Sequence, residues 1–176
     1  FLKESVVACL NSREAILSSM HPTSERILVT GGAGYLGSTL VPSLIEDGYH
    51  VTVLDSLMFN QAVLLDCGAS PRFQFIKGDI RDCEWKKLLK GVDIVVHAAA
   101  LKQVPTAEYN PFEAVKTNVI GGQNVIDAAM ANRVKKVIAL STDKAAAPIN
   151  LYGATKLTSD KLFISANNYK GTHDIN

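Results

Sequence analysis

Cysteine is scarce in this chain of 176 residues. Cys9, Cys67 and Cys83 are odd in number and form neither a CxxC pair nor a Cys/His ligand spacing, which argues against a disulfide framework and a zinc site. A reducing, cytoplasmic setting is therefore expected. An excess of charge of one sign is also missing, with eighteen Lys and Arg against seventeen Asp and Glu, so composition lends no support to nucleic-acid binding. No apolar run approaches the roughly 18 residues of a membrane span. Lys3, Glu4, Arg13 and Glu14 interrupt the region where a secretory leader needs an apolar stretch. What is present is 47% hydrophobic and 20% charged residues, the balance of a globular chain able to bury a core. Phe rather than Met stands first, and the chain is expected to be part of a longer polypeptide.

Arg26 to Thr30, Val51 to Asp55, Phe73 to Ile76, Val92 to Val96 and Val134 to Leu140 are short β-rich runs that read as five buried strands. Helical spacing lies between them: Leu36, Leu40, Leu44 and Ile45 after the first strand, and Ala114, Val115, Val119, Val125, Ile126 and Ala129 before the fifth. Alternation of strand and helix predicts an α/β doubly wound (Rossmann) parallel sheet with helices on both faces, since parallel neighbours need a crossover. Pro111 suits the first turn of the helix before the fifth strand and Asn132 its end. Residues 1–25 stand apart as an extension, where Leu2, Val6, Leu10 and Leu17 predict a helix ending near His21-Pro22. Residues 26–176 form the predicted nucleotide-binding domain, cut short of any C-terminal portion.

Thr30-Gly31-Gly32-Ala33-Gly34-Tyr35-Leu36-Gly37 places Gly31, Gly34 and Gly37 directly after a strand and at the opening of a helix. A pyrophosphate needs backbone N–H groups free of obstructing Cβ atoms, a tight turn to aim them and a helix N-terminus to favour its charge. Asp55 closes the second strand about twenty residues on, where its carboxylate accepts hydrogen bonds from ribose hydroxyls and repels a 2′-phosphate. NAD is favoured, with NADP as the alternative. Gly78-Asp79-Ile80-Arg81-Asp82 after the third strand has two readings: Asp79 and Ile80 beside the adenine, or a turn followed by a helix cap.

Tyr152 and Lys156 stand four apart in a segment of helical spacing and share one face. A phenol of pKa ~10 becomes a usable base when a neighbouring ammonium stabilises its phenolate. The fifth strand ends in Leu140-Ser141-Thr142-Asp143-Lys144, at the sheet edge where ligands bind in such folds. Ser141 or Thr142 is placed to bond a reacting oxygen, and Asp143 and Lys144 add an acid and a base beyond the needs of alcohol oxidation. His97 is expected to pack below the cofactor loop rather than act as a base, and Trp85 and Phe163 to be core or interface.

These residues resemble the extended short-chain dehydrogenase/reductase family over about residues 26–170: the glycine loop with Tyr35 and Leu36, Asp55, His97-Ala98-Ala99-Ala100, Asn118, and Tyr152 with Lys156. Within it, Ala99 to Pro105 including Lys102, Glu108 to Pro111, Leu140 to Ala145 and Asn150 to Lys156 are similar to inverting UDP-N-acetylglucosamine 4,6-dehydratases. Gly34 to Gly37 and Val53 to Ser56 are more similar to nucleotide-sugar epimerases. The resemblance implies oxidation of a UDP-sugar at C4, loss of water across C5 and C6, and return of the hydride to C6. Carried over by position, Tyr152 is the C4 base, Lys156 tunes it and holds the nicotinamide ribose, Thr142 or Ser141 binds the C4 oxygen, and Asp143 and Lys144 run the elimination. It also implies that Gly31, Gly34, Tyr35, Leu36, Gly37, Asp55, Asp79, Ile80, Ala98, Ala99, Ala100, Lys102, Asn118 and Ser141, together with Tyr152 and Lys156, line the cofactor, with no metal. A UDP-sugar 4-epimerase and a non-catalytic NAD-binding module are the competing readings. A homo-oligomer is expected, and the chain alone is expected to hold cofactor without turnover.

Overall fold

The computed structural model describes residues 24–169; the helix expected within residues 1–25 lies almost wholly outside them. Five strands, β1 (Arg26–Thr30), β2 (His50–Asp55), β3 (Phe73–Lys77), β4 (Ile94–His97) and β5 (Lys136–Ala139), form one sheet in the order β3-β2-β1-β4-β5. Every pairing is parallel. The helices are α1 (Gly37–Glu46), α2 (Trp85–Leu88), α3 (Val104–Tyr109), α4 (Pro111–Val115), α5 (Gly121–Ala131) and α6 (Leu151–Tyr169).

Both faces of the sheet are covered, which is why its strands read as continuous apolar runs. Ile27, Val29, Val51, Val53, Ile94 and Val96 pack with Val41 and Leu44 of α1. Leu28, Leu54 and Val95 point to the other face and meet Leu89, Val125, Ala129 and Val134. Most strand limits fall within one residue of expectation, but β4 and β5 each begin two residues later. The Val92 amide bonds to the Leu89 carbonyl in the turn after α2, and the Val134 amide bonds to the Ala129 carbonyl at the end of α5. Each of these residues closes a helix before its strand begins.

Pro111 opens α4 and Asn132 follows α5 as expected. The unexpected feature between them is a π-helical turn, Lys116–Ile120, that joins α4 to α5. Such turns insert one residue into a helix and recur at functional sites. No helix among the described residues is long and apolar enough to cross a membrane.

β1 hydrogen-bonds β2 on one side and β4 on the other, so the strand order reverses between β1 and β4. In open α/β sheets the crevice at such a reversal, beyond the strands' C-terminal ends, is the place that receives ligands.

Candidate functional site

The floor of the crevice is built from the ends of β1, β2 and β4. Thr30 Oγ1 and His97 Nδ1, on residues paired across β1 and β4, share a buried hydrogen bond of 2.8 Å. The loop above them is drawn in by its backbone: the Gly31 amide donates to the Leu54 carbonyl, the Ala98 amide to the Thr30 carbonyl and the Gly34 amide to the Gly31 carbonyl. Gly31 lies so close to the Ala98-Ala99 backbone that a Cβ on it would fall 2.5 Å from the Ala99 Cα. Gly37 opens α1 directly over Gly32. The cradle is thus one that side chains would fill, at the N-terminus of a 10-residue helix, and it fits a pyrophosphate.

Asp55 closes this cradle. Its Oδ2 accepts from the Ala33 amide at 3.0 Å and its Oδ1 from the Leu57 amide at 2.8 Å. A carboxylate offers about four acceptor positions, so Asp55 fixes the glycine loop and keeps capacity for ribose hydroxyls. Leu57, absent from the expected set, reaches it with a left-handed φ of 54°. At the mouth, Lys102 Nζ stands 5.8 Å from the Tyr35 ring centroid. Tyr35 is 79% exposed, and this cation–π contact links the glycine loop to the segment after β4. Leu36 is also exposed, and Ala98, Ala99 and Ala100 are half-buried along the β4 side.

Asp79 and Ile80 take different surroundings. Asp79 accepts from the Arg81 amide and guanidinium at 2.6–2.9 Å, and Arg81 continues to Glu113, which also pairs with Lys116 at 3.0 Å. Despite partial burial, these bonds from Arg81 hold the Asp79 carboxyl below its ordinary range. Ile80 is buried against Gly121, and Asn124 Nδ2 donates to the Ile80 and Arg81 carbonyls. The turn is therefore clamped to α4 and α5, and Ile80 is core.

Asn118, at the centre of the π turn, is 1% exposed. Its Oδ1 accepts from the Leu101 amide at 2.7 Å, and its Nδ2 donates to the Leu101 carbonyl and Thr155 Oγ1. All its polar atoms are engaged within the protein, so it holds the β4 loop to α6 rather than standing free for a ligand. Asn118→Ala is expected to cost about 2–4 kcal/mol, because three buried polar groups lose partners, read as a fall in the urea midpoint.

The second half of the site is carried by α6. Asn150 Oδ1 caps the helix by accepting from the Gly153 amide at 2.8 Å, and Glu108 Oε1 accepts from the Leu151 amide. Tyr152 follows at once, 8% exposed, its ring among Leu101, Ala107 and Ala114. A Cβ at Gly153 would fall 2.3 Å from the Lys144 carbonyl oxygen, so this glycine brings the Asp143–Ala145 turn against the start of α6. Thr142 stands close enough to the Tyr152 hydroxyl to influence its titration, its Oγ1 donates to Asp143 Oδ1 at 3.0 Å, and Lys144 Nζ stands 3.9 Å from the same carboxylate. Tyr152, Thr142, Asp143 and Lys144 are thereby gathered on one side of the crevice.

Lys156 is buried and donates to the Leu140 carbonyl at 2.7 Å. Burial pushes its ammonium below the ordinary range, with Asp160 opposing. Burial likewise raises the Tyr152 phenol above 10, the Asp143 and Asp160 carboxylates adding to the rise and the Thr142 hydrogen bond opposing it. The expected lowering of the phenol by Lys156 is thus not found in the protein alone: the ammonium is turned to Leu140, and desolvation wins. Asp143 is held below its ordinary range by Thr142 first and Lys144 second, so it stands ionised. Ser141 Oγ donates to Asp160 Oδ2, an acid that the sequence reading missed although it lies one turn beyond Lys156.

His97 is enclosed, its ring 5.4 Å from that of Phe163. Burial, reinforced by the Lys156 charge, pushes its pKa down to about 3, so it is a neutral packing residue at physiological pH. Because the unfolded chain takes up that proton near pH ~6.5, the stability from neutral His97 is complete above that value and declines as pH falls toward 3. His97→Gln is expected to remove a loss of about 2–3 kcal/mol between pH ~6.5 and ~4.5, seen as a flatter dependence of the urea midpoint on pH.

The sequence profile described as polysaccharide biosynthesis protein matches residues 27–176. The chain is 49% identical over 150 residues to a UDP-N-acetylglucosamine 4,6-dehydratase (inverting) of Campylobacter jejuni, covering 84% of this chain and 45% of that protein. It is 39% identical to a UDP-glucose 4-epimerase of Rickettsia canadensis, covering 80% and 43%. Among solved structures, the dTDP-glucose 4,6-dehydratase DesIV of Streptomyces venezuelae, determined with NAD bound, superposes with a TM-score of 0.80 at 34% identity, covering 85% and 53%. The chain spans about half the length of these relatives. With this sheet order, this glycine cradle and these similarities, the chain belongs to the polysaccharide biosynthesis protein family of extended short-chain dehydrogenases/reductases.

Proposed function

We propose that this chain is the NAD-binding half of a nucleotide-sugar 4,6-dehydratase whose substrate is UDP-N-acetylglucosamine. The observation that carries the reading is the Thr142-Asp143-Lys144 turn packed against Tyr152. Oxidation at C4 needs one group to take a hydroxyl proton. Elimination across C5 and C6 needs two more, one to remove the C5 proton beside the new ketone and one to protonate the departing hydroxyl. Tyr152, Asp143 and Lys144 are three groups of this chemistry, and their nearness supports the reading. The NAD-bound neighbour, the glycine cradle and Asp55 support NAD over NADP.

NAD, when bound, would supply the acceptor and donor for the hydride and a positive charge on its oxidised ring. The protein's own residues do the rest. Gly31, Gly34, Gly37 and the opening of α1 would receive the pyrophosphate, and Asp55 the adenosine ribose. Tyr152 Oη takes the proton of the C4 hydroxyl, with the Thr142 hydroxyl as its partner. Lys156 would stabilise the phenolate form of Tyr152 that takes this proton and would hold the nicotinamide ribose. Asp143 and Lys144 divide the acid and base work of elimination, and Asp143 enters it as a carboxylate.

The test is mass spectrometry of UDP-N-acetylglucosamine incubated with the full-length protein in heavy water without added reductant. Loss of one water with deuterium gained at C5 is the expected result. Unchanged mass with inversion at C4 would move the assignment to an epimerase, a reading favoured by the Rickettsia relative. Bound NAD with no reaction on any UDP-sugar would indicate a non-catalytic module.

A further inference from the structure

We propose that Asp160 is a positioning residue for this reaction, acting through Ser141 to hold the Leu140-Ser141-Thr142 segment under Tyr152. The inference rests on the functional reading above for its kinetic consequence, but its structural part stands on geometry alone. β5 ends at Ala139, and the Leu140 amide makes one further bond to the sheet, to the His97 carbonyl at 3.0 Å. Beyond it the chain leaves the sheet for the Asp143–Ala145 turn. Two successive residues are then gripped from the same helix: the Leu140 carbonyl by Lys156 Nζ, and the Ser141 hydroxyl by the Asp160 carboxylate.

Tyr152, Lys156 and Asp160 follow at intervals of four along α6, so one stripe of the helix carries the reacting group and both anchors. The next residue in the gripped segment is Thr142, which donates to Asp143 and stands beside the Tyr152 hydroxyl. A hydroxyl held by a side-chain oxygen of a neighbouring helix keeps its residue in place more firmly than an exposed serine bonded only to water. Its loss frees Ser141 and lets Thr142 drift from the phenol. Small displacements of this kind cost on the order of 10- to 100-fold in rate. Asp160 touches no reacting atom in this scheme, and the glycine cradle lies apart from it, so cofactor affinity is expected to be retained.

The experiment uses the full-length protein as wild type, Asp160→Ala, Ser141→Ala, the double variant and Asp160→Asn. Hydrogen exchange of the amides of residues 140–145 reports the anchoring, and kcat on UDP-N-acetylglucosamine with NADH affinity measured beside it reports the consequence. The expected result is faster exchange and a roughly 10- to 100-fold loss of kcat in both alanine variants, with the double variant no worse than either. NADH affinity in Asp160→Ala stays within about twofold. Asp160→Asn, whose amide oxygen still accepts from Ser141, recovers most of both signals. Losses that multiply in the double variant, unchanged exchange at 140–145 in Asp160→Ala, or no recovery in Asp160→Asn would each overturn the proposal. If the wild type converts no UDP-sugar, the functional reading fails, while the exchange pattern still decides whether Asp160 anchors Ser141.

Discussion

Tyr152→Phe in the full-length protein is expected to lower kcat by about 10³-fold, within the range found when a positioned acid or base is removed, with NAD affinity and melting temperature little changed. The separation of effects follows from where the two ends of the side chain lie. The ring packs among Leu101, Ala107 and Ala114 with Val104 and Leu151 at the margin, and phenylalanine keeps all of that packing. The hydroxyl faces Thr142 and lies within the influence of Asp143 and Asp160, and the substitution deletes only that. Burial holds the phenol above its ordinary pKa, so at neutral pH the side chain is protonated in the protein alone and must lose that proton before it can serve as the base. Charge brought near it in the loaded enzyme must offset that burial. A variant retaining more than about a tenth of wild-type kcat would remove Tyr152 from the C4 proton transfer and make Asp143 the group to examine. Thr142→Ala offers a check within the same scheme: it leaves the phenol in place but deletes the hydroxyl beside it, and its loss should be smaller.

The sheet was legible because its strands are buried on both faces. Runs such as Ile27-Leu28-Val29 and Val95-Val96 put successive side chains into opposite layers, and a short apolar run closed by a turn has few other readings in an alternating chain. The glycine loop, Asp55, Tyr152 and Lys156 were legible for a different reason, since each belongs to a local spacing set by one turn or one helix. What escaped is what local spacing does not encode. Glu113 stands 32 residues from Arg81, and only the packing of α4 on the turn after β3 brings them together. Asn118 was expected to line the cofactor, yet the π turn directs its amide to Leu101 and Thr155, and nothing in the residue pattern distinguishes that turn from the α-helix around it. Asp160 sits at a helical interval from Lys156 that can be read from the sequence, but its partner Ser141 lies across the β5 turn.

The tyrosine pKa shows the same limit from the side of energetics. Four-residue spacing correctly puts Tyr152 and Lys156 on one helix face, and from that a lowered phenol pKa was expected. Spacing does not report burial. Both groups are withdrawn from water, and withdrawal disfavours the charged form of each, raising the tyrosine and lowering the lysine. The Leu140 carbonyl then claims the ammonium. The two shifts bring the groups' charged forms into dependence on what else enters the crevice, which fits a site that performs its chemistry only when loaded.

Gly37→Ala is expected to have the largest effect on cofactor binding of any single methyl group added to this protein. A Cβ there would fall 1.9 Å from the Gly32 carbonyl oxygen, 2.4 Å from its carbon and 2.6 Å from its Cα. All three are backbone atoms of the glycine loop, so no side-chain rotation relieves the overlap; either the loop lifts or the first turn of α1 unwinds. Gly32 has little room to retreat, since it lies over Val53 and Val29, and the adjoining Gly31 is tied to the Leu54 carbonyl and packed on Ala99. Overpacking of this kind costs about 1–3 kcal/mol or more, and here the strain falls on the amides that would meet the pyrophosphate. A loss of at least about 100-fold in NAD affinity is expected, together with a lower melting temperature, and calorimetric titration of the full-length protein measures the first directly. Gly68→Ala is the control: that position has open space around it and no left-handed φ, so affinity and stability should both stay near wild type. Equal behaviour of the two variants would mean that the Gly32–Gly37 contact does not shape the cradle, and that the dinucleotide is held chiefly by Asp55 and the β4 side of the crevice.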